Sequence, residues 1–116
     1  MTRQIDIALF TQTTGDLDIL AAVGKVFLVQ LVPWRLALQE HSARFDVLEL
    51  TNLVHRMKGS CHVVAAMAAA TAFEQAENGL KQMNAESWRP NCHRLLALTE
   101  EIEADLQAVM VAQAQR

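Results

Sequence analysis

Four stretches of this sequence return apolar residues at helical spacing, three, four or seven positions apart, and no other feature limits the fold as strongly. Leu20, Val23, Phe27, Leu31, Trp34 and Leu38 form the first stripe, and Val47, Leu50, Val54, Met57 and Cys61 the second. Ala69, Phe73, Ala76, Leu80 and Met83 form the third, and Cys92, Leu95, Ile102, Leu106 and Val109 the fourth. At 100° per residue the first stripe stays within a band of roughly 80°, the signature of a helix with one buried face. Only 4 glycines and 2 prolines interrupt 116 residues, too few for the turns of an all-β fold. The expectation is all-α: an antiparallel four-helix bundle with an additional short N-terminal helix, residues 1–116 forming one domain.

The connections can be read as well. Residues 3–10 suggest the short helix, broken by Thr11 to Asp16. Asp16 is placed to cap the next helix by accepting orphan backbone N–H groups. Pro33 should kink that helix or break it at Val32. His41 to Arg44 reads as the following connection. Asn84 to Ser87 reads as a turn in which Ser87 caps the last helix, with Pro90 tolerated in its first turn.

Charge and cysteine content exclude several functions. A net charge of −3 does not suit a grip on a phosphate backbone, so no nucleic-acid partner is expected. No uninterrupted apolar run of membrane-spanning length and no signal-peptide pattern is present, which predicts no membrane insertion and a cytoplasmic location. Cys61-His62 and Cys92-His93 invite a zinc reading, but adjacent helical residues diverge by about 100° and both cysteines fall on apolar stripes. No metal and no cofactor are expected. Trp34 and Trp88 read as packing residues, and the acidic run from Glu100 to Asp105 as a solvated face.

Helix three carries the candidate site. With Val47 at 0°, its core stripe centres near 310°, and His55 falls about 130° from that centre, facing solvent. Gly59 stands one turn along the exposed face, and Lys58 lies between His55 and the core edge. A neutral imidazole is a competent nucleophile near neutral pH. If it attacks phosphorus, Lys58 can offset the incoming charge, while Arg56 points elsewhere. Gly59 costs roughly 1 kcal/mol inside a helix relative to Ala, a cost that clearance beside His55 would explain. Ser60 lies about 140° from His55 and reads as a local hydrogen-bonding residue. His62, two turns beyond His55 on the same face, is a possible docking residue.

The segment His55-Arg-Met-Lys58-Gly59-Ser60 resembles the His-x-x-Lys-Gly-Ser signature of histidine-containing phosphotransfer (HPt) domains, and nearly the whole chain fits that family's length and helical plan. The resemblance implies that His55 accepts a phosphoryl group from a receiver-domain aspartate and passes it to another receiver. Lys58 would then stabilise phosphoryl charge, and Gly59 would leave room for the phosphoryl group and partner. It also implies a phosphoryl carrier that is not itself an enzyme, with Mg²⁺ and catalytic groups on the receiver, and usually a monomer. One position departs from the pattern. Where the family often has Gly-Ala ten residues after the histidine, this chain has Ala65-Ala66, which bears on the turn between helices three and four.

Two other functions share these features: the phospho-acceptor domain of a chemotaxis-type kinase, and a helical interaction module without phosphoryl chemistry. Leu28, Val29, Val32 and Leu36 lie outside the core stripe of helix two. Ile5, Leu9 and Phe10 of the short helix are expected to cover part of them, and the others, Leu28 and Val32 among them, to form an apolar patch for receiver docking; the two readings can hold for different residues.

Overall fold

A computed structural model of the chain describes residues 4–115, and among these residues every regular element is helical. The helices are α1 (Ile7–Thr13), α2 (Leu17–Arg44), α3 (Val47–Val63), α4 (Met67–Gly79) and α5 (Ala85–Ala114), with a 3-10 turn at Leu80–Gln82. The four predicted stripes supply the core. Leu20, Leu31 and Leu38 of α2 meet Leu50, Val54 and Met57 of α3, Phe73 of α4, and Leu95, Ile102 and Leu106 of α5. Trp34 is only half-buried and packs edge-on against Phe27, with ring centroids 5.8 Å apart. Around the core α2 neighbours α3 and α5, and α4 neighbours the same two helices. Buried alanines Ala69, Ala70, Ala72 and Ala76 let α3 and α4 approach closely.

Several boundaries differ from the sequence expectation, each for a local reason. The first helix begins at Ile7, because Asp6 caps it by accepting from the Leu9 amide. Arg3 lies outside the described residues. The helix runs on through Thr11 to Thr13, whose end hydroxyls donate back to carbonyls one turn earlier. Helix α2 starts on Asp16 as expected but continues unbroken through Pro33 to Arg44. Pro33 faces solvent, so the carbonyl it frees can reach water. The predicted connection at His41 to Arg44 is therefore helix. The chain instead turns at Phe45, which adopts the left-handed conformation (φ 47°), with the Asp46 amide donating to the His41 carbonyl. In α5 Asn84 is the cap and Ser87 its reciprocal partner three residues on, a capping box that moves Pro90 beyond the first turn. The 3-10 turn ends α4 at Gly79, short of the predicted Met83.

The turn between α3 and α4 holds Ala65 at φ 58°, the left-handed region where glycine is at ease and alanine is not. The Ala66 amide donates to the Cys61 carbonyl, and the Ala65 carbonyl accepts from the Asp6 amide. The turn thus keeps its conformation without glycine, braced by the segment before α1. That segment is also tied to α5, where Asp105 accepts from the Gln4 and Ile5 amides.

Helix α2 combines length and hydropathy that would suit a membrane, reaching a mean hydropathy of 1.6 over 18 residues. Scattered polar residues such as Lys25, Gln30 and Arg35 keep it from being one uninterrupted apolar run. Here the helix has a core face and a second apolar face. Val29, Val32 and Leu36 are 76%, 59% and 56% exposed, and Leu28 is half-buried. Ile5, just before the short first helix, and Phe10 within it are buried, but neither closes over Val29, Val32 and Leu36.

Candidate functional site

His55 projects from the middle of α3 with 64% of its side chain exposed. The i, i+3 and i+4 spacing around it follows from the apolar stripe, which turns Leu50, Val54, Met57 and Cys61 inward. Its Nδ1 lies 3.0 Å from Oε2 of Glu77 on α4. The other carboxylate oxygen of Glu77 accepts from the Lys58 Nζ at 3.1 Å. One half-buried carboxylate therefore bridges the imidazole and the ammonium. Burial opposes ionisation of Glu77, but hydrogen bonds from Lys58 and His55, with the charge near them, outweigh it and hold its carboxyl below the ordinary carboxylate value.

This arrangement selects a tautomer. An ionised carboxylate only accepts, so Nδ1 must carry the proton that it shares with Glu77. In the neutral ring the lone pair then sits on Nε2, which bonds to no other described residue. On a ring this exposed, Nε2 is an accessible nucleophile whose orientation is held from behind.

The remaining predicted residues fall as follows. A Cβ built on Gly59 would meet nothing within 4 Å, so the surface one turn beyond His55 is open. His62 is exposed on the same stripe of α3, roughly 10.5 Å further along the axis. Lys58 does not stand free: its ammonium rests on Glu77. Arg56, which the helical wheel turns away from His55, lines the same open concavity of about 400 Å³, together with Thr51, Asn52 and Glu77. Leu28 and Val32 are not brought to His55. They share a stripe of α2 with Arg35, which donates to Thr99 and Glu103 of α5. His55 instead lies on the side of α3 that faces α4, across the molecule from that flank.

Cys61 is buried, and burial pushes its thiol up to about 12, as for a packing residue. Among the described residues no three His, Cys, Asp or Glu side chains converge as a metal site. Glu77 is the residue that sequence reasoning missed. Its one signal was that α4 carries only two carboxylates, Glu74 and Glu77, and nothing local says which one meets α3.

A family model described as the Hpt domain matches residues 16–109, which covers α2 to nearly the end of α5. No curated protein and no solved structure matches the chain. The chain belongs to the Hpt domain family, whose members are phosphocarrier modules of two-component signalling.

Proposed function

We propose that this Hpt domain is a phosphorelay intermediate that receives a phosphoryl group on His55 Nε2 from a receiver-domain aspartate and gives it to a second receiver. The observation that carries this reading is the bridge from Glu77 to His55 Nδ1 and Lys58 Nζ, which leaves Nε2 free on an exposed ring. In the forward step the Nε2 lone pair forms an N–P bond as the acyl-phosphate P–O bond breaks, and the aspartate departs with the bonding electrons. Positive charge then develops on the ring, facing the Glu77 carboxylate. Lys58 has three N–H donors, so it can hold Glu77 and still offer a donor to a phosphoryl oxygen. The reverse chemistry on a second receiver regenerates neutral His55.

The docking footprint centres on His55, Gly59 and His62. Gly59 supports it by leaving the adjoining surface low, and Arg56 stands at the rim with a positive charge for the incoming group. Mg²⁺ and the catalytic carboxylates belong to the receiver, since phosphoryl transfer depends on positioning and charge neutralisation that a lone histidine does not supply. The fold suited to this role is an antiparallel bundle, which the two-residue link between α2 and α3 supports. The partners are cytoplasmic receiver domains.

The test is transfer from receivers charged with acetyl phosphate and Mg²⁺, with the label located by mass spectrometry without acid. Acid-labile, base-stable label on the wild type that is absent from His55→Gln and retained in His62→Gln supports the reading. Label that appears only with an ATP-dependent kinase domain, across a broad receiver set, would move the chain to the kinase-fed class.

A further inference from the structure

The second apolar face of α2 is built like a seam. Ala22, Val29, Leu36 and Ala43 recur every seven residues, with Val32 between them, and all are exposed. Such a repeat on the side away from the core suits a facing helix. Single exposed apolar side chains are ordinary, but a continuous row of this length on one helix is not.

We propose that this face is a self-association surface on which two copies of the chain pair antiparallel about a two-fold axis between Val32 and Pro33. The charges argue for the second copy and for its direction. Lys25 and Glu40 lie along the apolar row, each about 30° to one side of its centre line and at equal distances from that midpoint, and neither is bonded to another described residue. In an antiparallel pair Lys25 of each copy meets Glu40 of the other, Val29 meets Leu36, and the contact is isologous. A parallel pair would set Lys25 against Lys25 and Glu40 against Glu40, and would align the two helix dipoles. The midpoint also points the right way. It lies roughly 170° around α2 from Leu20, opposite the core stripe, so the axis runs straight out of the molecule.

The flanks are compatible with this pairing. On one side Arg35 is folded down onto Thr99 and Glu103 and leaves the apolar row open. His55 stands on the side of α3 facing α4, so both phospho-acceptor surfaces remain accessible in the pair. The covered strip is about 30 Å long and about 10 Å wide on each copy, roughly 600 Å² for the pair and below the size of a standard specific interface, which predicts a weak, transient dimer. This departs from the monomer expected of the family. It does not rest on the phosphorelay reading.

The experiment is sedimentation equilibrium of the full chain from about 10 μM to about 1 mM, a range that brackets dissociation constants near 100 μM. The wild type should pass from monomer to dimer. Leu36→Lys should weaken the dimer at least tenfold while its helical circular dichroism stays unchanged. Lys25→Glu and Glu40→Lys should each weaken it, and the double swap in one chain should restore it, because each new pair is again opposite in sign. A monomer throughout the range overturns the proposal, as does a dimer indifferent to Leu36→Lys or a double swap weaker than either single change. A monomer whose Leu36→Lys variant loses transfer from receivers would also overturn it and assign the face to the receiver.

Discussion

Gly59 offers a test in which stability and function should move in opposite directions. The residue lies inside α3 with ordinary helical φ, and a Cβ there would touch nothing within 4 Å. Gly59→Ala therefore gains the full helix-propensity difference, about 0.8 kcal/mol, with no steric penalty against it. For a domain of this size that is a rise in Tm of roughly 4 °C. Gly59→Leu should also be stable, since its Cβ enters open space on an exposed face. Helical side chains lean toward the N-terminus and cover the preceding turn, so a leucine here leans over the turn that carries His55. Transfer from a charged receiver should slow progressively from Gly to Ala to Leu, with a loss of at least tenfold for Leu. Urea denaturation and stopped-flow transfer on the same preparations read both quantities. A destabilised Gly59→Ala would refute the open-space argument. A Gly59→Leu variant that transfers at the wild-type rate would refute the clearance role and leave this glycine unexplained.

Other outcomes follow from the same geometry. His55→Gln should abolish phosphorylation and leave helical circular dichroism unchanged, because the side chain is mostly exposed; a loss of helical signal would count against that placement. Glu77 has a depressed folded-state pKa, so its contribution to stability is present above the ordinary carboxylate range and is lost as pH falls through the folded value. Wild type should thus exceed Glu77→Gln in stability at pH 7 by about 1 kcal/mol, a gap that closes on acidification; a gap independent of pH in urea titrations would refute the pairing. Ala65→Gly relieves about 1 kcal/mol of left-handed strain and loses one buried methyl worth about 0.8 kcal/mol, so it should be close to neutral, whereas Ala65→Val should cost about 2 kcal/mol or more. Equal midpoints for these two variants would contradict the backbone assigned to that turn. Trp88→Phe loses the 2.8 Å bond from the indole to the Ser42 hydroxyl, and should cost about 1 kcal/mol by thermal unfolding with transfer unaffected.

What the sequence determined by itself was periodic or contiguous. The apolar stripes named the centre of the core, because burying one side of a helix writes a 3.6-residue period into the chain, but they missed Leu53, Val64 and Ala72, which are buried as well. His55, Lys58 and Gly59 were legible for the same reason, since residues within two turns of one helix have fixed relative directions. Asp16 as a cap was also a local decision. Helix ends were legible only where one side chain competes for the backbone. At Arg44 the chain turns through a left-handed Phe45, and in α5 Asn84, not Ser87, is the cap; neither was evident from residue type.

Tertiary structure alone decided what happens between helices. Glu77 is 22 residues from His55, and only the packing of α4 on α3 brings its carboxylate to Nδ1 and to Lys58. The same holds for Leu28 and Val32. Their exposure could be guessed from a wheel, but a wheel has no neighbours. Arg35 bonding to α5 shows that their flank lies away from the histidine. A helix fixes directions around its own axis by covalent geometry, whereas the rotation and register between helices depend on the fit of all the side chains packed between them.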